Sequence, residues 1–381
     1  MNTRIYLDHA ATTPLDTNVL SIMSPYLTSV YGNADSPHAE GRKAMAAIDG
    51  ARDTLAELLH AKKNEIYFTS GGTESDNFAI LGAARAKKAQ GKTQVILSSI
   101  EHHAALFAGE TLQKEGFQVD YLPVNDGGRV EMNALKALLS ENTALVGIMA
   151  ANNETGVKQP IKEYALLAHE YGAVFFTDAV QLAPYENINV QELGVDLLSM
   201  SSHKFYGPKG CGALYIKNGV KMEKLVGGGE QERGMRGGTL NVAAIVGMAA
   251  AYKNACENME ENNAKIAELS KLFLQEISIL EGVERNGDTQ NALPAILNLR
   301  FDGVENTALL YNMDLKGVSM AAGSACASAS VKPSHVLTAM GLSEKQAKES
   351  VRISFGKHNT QEQIKTAAEI LIQTVRKLRK E

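Results

Sequence analysis

From about Asp16 to beyond Val246, short uninterrupted apolar runs alternate with stretches of helical spacing. Apolar runs of five or six residues that fit no helical period read as buried strands. Residues 195–200, 173–177, 94–98 and 211–215 read this way, and residues 64–69 end a further strand. Strands alternating with helices predict a mainly parallel sheet covered by helices on both faces, an α/β unit. After Ala243 a long helical region rich in Ala, Glu, Lys and Leu runs through Leu274. The remainder mixes short strands, among them Val351-Arg352-Ile353-Ser354, with helices, and predicts a second, smaller α+β unit. Residues 370–381 place Arg376, Lys377, Arg379 and Lys380 on an amphipathic helix, read as a solvated face.

The polar residues at the ends of these runs carry the chemistry. Ser201, Ser202, His203 and Lys204 follow the 195–200 strand directly, and Asp178 ends the 173–177 strand. An amine and a carboxylate thus leave neighbouring strands at the edge where open α/β sheets bind ligands. A desolvated lysine can attack an aldehyde. An aspartate can keep a proton on a heterocyclic nitrogen, and the two together describe a pyridoxal phosphate site. The same pair also fits a solvated turn lysine and a helix-capping aspartate. Ser70-Gly71-Gly72 makes a turn after another strand, and Thr73, Glu74, Ser75 and Asp76 open a helix whose free amides favour a phosphate, with Ser201 and His203 as further donors. Taken alone, Thr73-x-x-Asp76 is a capping pattern. The 94–98 strand runs out into Glu101, His102 and His103. Neighbouring histidines point different ways, and no Cys/His spacing suits zinc, so no metal is expected. A flat imidazole stacked on a ring, near enough to move protons, fits the strand end better.

Cys326 lies in a run of glycine, serine and alanine from Ala321 to Ser330, which predicts an exposed, movable thiol. Cys211, in a strand, and Cys256, near the start of a long helix, read as inert packing.

Taken in order along the chain, these pieces resemble the cysteine desulfurases, the NifS- and IscS-like branch of the class V aminotransferase superfamily. The likeness runs from Tyr6-Leu7-Asp8-His9-Ala10-Ala11-Thr12-Thr13 through Thr69–Asn77, Glu101-His102-His103-Ala104, Asn152-Asn153-Glu154, Thr177-Asp178-Ala179-Val180-Gln181, residues 201–210, Arg236-Gly237-Gly238-Thr239 and Gly323-Ser324-Ala325-Cys326 to Val351–Ser354. Two stretches depart from the family pattern, Ala34-Asp35 and residues 237–240. The resemblance implies the pyridoxal phosphate fold of type I, with a seven-stranded-type sheet in a large unit over residues 15–255. Residues 1–14 and 256–381 would form the small unit that carries the cysteine loop.

It also implies roles. Lys204 would bond the cofactor aldehyde, Asp178 would partner the ring nitrogen, His102 would stack on the ring, and Gln181 would donate to the phenolic oxygen. Gly72, Thr73, Ser201 and His203 would hold the phosphate, joined by Thr239 from a second subunit, which makes the protein a homodimer. On composition alone residues 227–239 read as a flexible surface loop. Asn153 would touch both cofactor and substrate, and Arg352 would grip the substrate carboxylate in a two-pronged contact. Asn33 and His9 resemble substrate contacts. Cys326 would take sulfur from L-cysteine as a persulfide, leaving alanine, with His102 or a nearby positive charge helping the thiol to ionise. Near-isosteric side chains are separated by only about 1–3 kcal/mol of pocket binding, so reaction selects the substrate, and selenocysteine is expected as a second one. A sulfur-acceptor protein for iron-sulfur assembly or tRNA thiolation would follow. Another class V enzyme, such as an aminotransferase or lyase with Cys326 incidental, is the alternative.

The whole chain agrees with such an enzyme. Its 381 residues leave room for two units. A formal charge of −5 gives no general attraction for nucleic acid. No long apolar segment or signal-like start is visible, and three cysteines without paired spacing suit a reducing, cytoplasmic setting.

Overall fold

The computed structural model describes residues 4–323 and 333–380. Its strands are β1 (Ile5–Tyr6), β2 (Ile66–Thr69), β3 (Gln94–Ser98), β4 (Gln118–Leu122), β5 (Thr143–Gly147), β6 (Val174–Asp178), β7 (Leu197–Ser201), β8 (Gly212–Ile216), β9 (Val283–Arg285), β10 (Ile296–Phe301), β11 (Val318–Ser319) and β12 (Ser350–Ser354). A seven-stranded sheet runs in the order β2-β8-β7-β6-β5-β3-β4. It is parallel from β7 to β4, while β8 runs antiparallel to both of its neighbours. Two reversals cancel, so β2 points the same way as β7, and its carboxyl end lies on the same edge as those of β3, β5, β6 and β7.

Every residue of β3, β5, β6, β7 and β8 is buried, as a sheet covered on both faces requires. Side chains alternate across the pleat. Ile96, Val146, Phe175 and Leu198 join one apolar cluster, and Val95, Leu97, Leu145, Phe176 and Leu197 join another. The helix Gly72–Lys88 covers the second face and ends in Arg85, Lys87 and Lys88, which suit the negative end of its dipole.

A three-stranded antiparallel sheet, β12-β10-β9, and the parallel pair β1-β11 stand apart from this sheet. Asp8 bridges to Ser354, which ties the first residues to β12. The helical region after Ala243 is two helices, Val242–Glu257 and Met259–Ile277, separated at Asn258. Cys256 therefore sits at the end of a helix and not near the start of one. The terminal helix, Gln361–Arg379, buries Ile364, Ala367, Ala368, Leu371 and Val375 on its apolar stripe.

The glycine-rich stretch after Val226 is more firmly held than its composition suggests. Glu232 and Arg233 both adopt left-handed backbone, with φ of 47° and 57°, a conformation that costs a side-chain-bearing residue energy and persists only where its surroundings impose it. Here they do. Glu232 receives a two-pronged bond from buried Arg52, at 2.6 and 2.8 Å, and a third from the Phe68 N–H at 2.8 Å. The Arg233 guanidinium lies 3.9 Å from the centre of the Tyr67 ring.

Candidate active site

The carboxyl ends of the sheet open on a cavity of about 190 Å³. Lys204 enters it from the short turn Ser202–Lys204 that follows β7. Its amine donates to the carbonyls of Ala10 and, at 3.0 Å, Ala11. The segment around Ala10 thus forms a lid of backbone oxygens over the lysine. Thr13 fixes that segment by bonding the His203 carbonyl through both N–H and hydroxyl, at 3.0 and 2.9 Å, and the Tyr206 N–H donates back to its hydroxyl. Gln181 also lines the cavity, donating to the Ala10 carbonyl at 2.7 Å.

Asp178, the last residue of β6, faces the cavity beside Lys204. Burial pushes its carboxyl up to about 6, opposed by the Val180 N–H at 2.8 Å and by the positive Lys204. Asp76, buried in the first turns of the Gly72–Lys88 helix, also lines the cavity. Burial raises its carboxyl well above the usual range, and the charge of Asp178 adds to the rise. Ser199 Oγ donates to Asp76 at 2.6 Å. Of these two carboxyls, Asp178 is the one that carries charge, since two anions so near cannot both be stable without solvent.

His102 precedes the helix His103–Lys114, and its Nδ1 accepts from the Ala104 N–H at 3.2 Å. Burial, followed by the charge of Lys204, holds the imidazole down to about 4. A neutral ring that accepts at Nδ1 carries its proton on Nε2. His103 points elsewhere, its ring centre 4.7 Å from that of His335. Behind them Glu101 is fully buried and pushed up to about 8 by that burial.

Opposite lie Gly72, Thr73, Ser201 and His203. A Cβ on Gly72 would come within 3.0 Å of Val180 Cγ2 and 3.5 Å of Ser201 Cβ, so a larger residue would crowd this wall and push Val180 back. Free helix-start amides, two hydroxyls and an imidazole held neutral, down to about 4 by burial and then Lys204, make a cradle for a phosphate. At the far end Arg352, fully buried in β12, bonds Asp8 Oδ1 and the Asn153 carbonyl, both at 2.8 Å, and its Nε has no partner among the described residues. An orphaned buried guanidinium N–H beside Asn153 is a ready contact for a carboxylate. An amine, a carboxylate, an anion cradle and a guanidinium around one cavity fit pyridoxal phosphate with an amino acid beside it.

Lys204, Asp178, His102, Gln181, Gly72, Thr73, Ser201, His203, Asn153 and Arg352 all line this cavity. Three other described residues of the sequence reading do not. His9 is buried against Tyr6, ring centres 5.0 Å apart. Asn33 is exposed, its Oδ1 accepting from the Asp35 N–H at 3.1 Å. Thr239 is exposed on the surface. Cys326 lies outside the described residues. Sequence reading passed over Asp8, Ala10, Ala11 and Asp76. Their signal was present, since Asp8 stands in the first recognised motif and Asp76 in the phosphate-side one, but neither pattern says which charge it will meet.

Residues 5–366 match the Aminotransferase class-V family. The chain is 45% identical over 382 residues to a cysteine desulfurase IscS of Clostridium botulinum (strain Hall), covering 100% of this chain and 96% of that relative. It is 46% identical over 379 residues to a putative cysteine desulfurase IscS 1 of Bacillus subtilis, covering 98% and 99%. Among solved structures it is similar to a NifS-like protein, with a TM-score of 0.92, 34% identity and coverage of 97% and 99%. It is also similar to SspA in complex with cysteine, with a TM-score of 0.83, 36% identity and coverage of 94% and 100%.

Proposed function

The chain belongs to the class V aminotransferase family, and from that premise we propose that it is a pyridoxal phosphate-dependent cysteine desulfurase. In this reading it turns L-cysteine into L-alanine and passes the sulfur to Cys326 as a persulfide. The observation that carries the reading is the meeting of Lys204, Asp178, His102 and Arg352 in one cavity with the phosphate cradle. Relatives of full length that bear the desulfurase name support it.

When bound, pyridoxal phosphate supplies an aldehyde for an amine and a ring that withdraws electrons from the substrate Cα. The rest falls to this chain. Thr73, Ser201, His203 and the helix-start amides hold the phosphate, and Gln181 and Asn153 hold the ring substituents and the substrate in line. Asp178, the charged member of its pair, keeps a proton at the ring nitrogen. Arg352 grips the substrate carboxylate with its remaining N–H groups, which turns the Cα–H toward Lys204 Nζ for removal. His102, neutral and with its proton on Nε2, would hold that N–H toward the substrate sulfur as a hydrogen-bond donor. The Cys326 thiolate then attacks the substrate sulfur. The S–S bond forms as the Cβ–S bond breaks, and protonation at Cβ leaves alanine.

A second subunit contributing Thr239 makes the homodimer the working form, and a sulfur-acceptor protein of iron-sulfur assembly or tRNA thiolation takes the persulfide sulfur onward. Among the described residues no helix is long and apolar enough to cross a membrane, and we place the enzyme in the cytoplasm. The test is the visible spectrum of the purified protein before and after L-cysteine, with alanine assay and persulfide labelling. Cys326→Ala is expected to keep the cofactor absorbance and its response to L-cysteine, yet to make no alanine. Full turnover by that variant would remove Cys326 from the reaction, and a keto acid product without alanine would favour transamination.

A further inference from the structure

Glu154 has no part in the roles above, yet it is buried to 2% exposure next to Asn153. Its backbone is fixed on both sides. The N–H donates to Asn152 Oδ1 at 2.9 Å, and the carbonyl accepts from Asn298 Nδ2 at 3.2 Å. The carboxylate faces the two chain ends that flank residues 324–332. From one side Ser334 Oγ donates to Glu154 Oε2 at 2.6 Å, while the same hydroxyl accepts from the Leu337 N–H and so caps the helix His335–Ala339. From the other side Gly323 approaches so closely that a Cβ there would stand 2.8 Å from Oε2.

The first of these chain ends is also tied to the carboxylate-binding wall. Ala321 exchanges backbone bonds with Arg352 at 2.6 and 3.2 Å, and Arg352 Nη1 donates to the Asn153 carbonyl. Beyond the second, His335 Nε2 contacts the carbonyl of Glu101, the residue before His102, at 3.0 Å. Glu154 Oε2 thus bonds the second end and lies close against the first.

We propose that Glu154 is a positioning residue for sulfur transfer, clamping residues 323 and 334 against the wall that holds the substrate and so setting the reach of the thiol carried between them. Rotational and translational freedom withheld from a nucleophile lowers its barrier without changing how substrate binds. The proposal rests on Cys326 as the sulfur acceptor. It predicts an effect on the chemical step alone, because Glu154 contacts neither the cradle nor the Arg352 guanidinium directly.

The experiment uses the full-length, cofactor-loaded enzyme. Glu154→Ala and Ser334→Ala are each expected to slow single-turnover persulfide formation on Cys326 by about tenfold. KM for L-cysteine, and the change in cofactor absorbance on adding it, should stay within about twofold of wild type. The double variant should be no slower than either single one, since both remove one contact. Glu154→Gln, which keeps an acceptor for Ser334, should recover most of the rate. Wild-type persulfide rates in Glu154→Ala or Ser334→Ala would overturn the proposal, as would a loss that appears in KM or cofactor absorbance. If Glu154→Ala fails to fold, Ser334→Ala and Glu154→Gln decide by the same criteria. Absence of persulfide on Cys326 in the wild-type enzyme would instead sink the desulfurase reading, and this clamp with it.

Discussion

A water-exposed imidazole titrates near 6.5, but His9, His102 and His203 each stand near 4. Burial is the leading cause in all three, followed by the charge of Lys204 for the last two and of His358 for His9. The folded protein keeps these rings neutral while the unfolded chain protonates them below about pH 6.5, so this stability is present above that pH and is lost as pH falls toward 4. In cofactor-free protein the urea midpoint should drop between pH 7 and pH 5, and His9→Asn should lessen the drop. An equal drop in the variant would show that His9 is not buried neutral. Glu101 has the opposite sign. Its carboxyl, raised to about 8 by burial, stabilises the fold below its unfolded value and loses that contribution as pH rises through 8. Glu101→Gln should therefore flatten the decline in stability on the alkaline side, as read by denaturation at pH 6 and 9. Burial acts on the Cys211 and Cys256 thiols in the same direction as on Glu101. Cys211, buried and pushed up to about 12 by desolvation, should resist alkylation in native protein, and its replacement by alanine should leave desulfuration unchanged.

At the scale of elements, the strand ends were readable because a strand needs only a short apolar run, and the residue after it then projects from a known edge. The Gly72–Lys88 helix was legible for a similar local reason, a turn of small residues before a run of good helix formers. The stretch after Val226 was not. Its glycines suggest freedom, and the partner that removes this freedom, Arg52, lies on the distant helix Ala39–Leu58. Arg52→Ala would leave Glu232 charged and buried, which is expected to destabilise the protein by about 3–5 kcal/mol. Replacing both, as Arg52→Met with Glu232→Leu, should cost clearly less. Chemical denaturation of the two variants checks this, and equal losses would mean that the pair is not buried as a unit.

At the scale of the whole molecule, Thr239 stands exposed on a loop whose neighbour Arg236 bonds Glu74, at 2.9 Å, in the first turn of the phosphate-side helix. If a second subunit receives that hydroxyl, the protein should sediment at twice 40.9 kDa. Thr239→Ala should then weaken cofactor retention by about fivefold, the worth of one hydrogen bond of about 1 kcal/mol; a monomer that retains cofactor fully would reject the arrangement. The sequence by itself determined the α/β class, the order of the chemical groups and the strand end from which each emerges, since these depend on local apolar runs and on residue types. Only the tertiary structure decided that Ser199 donates to the buried Asp76, that Asp8 and the Asn153 carbonyl hold Arg352, that carbonyls near the start of the chain cover Lys204, and that Glu154 meets both Gly323 and Ser334. These are pairings across more than a hundred residues of chain, with which partner a charge meets set by how the sheet edge and the small unit close on each other, and no spacing along the sequence encodes that distance.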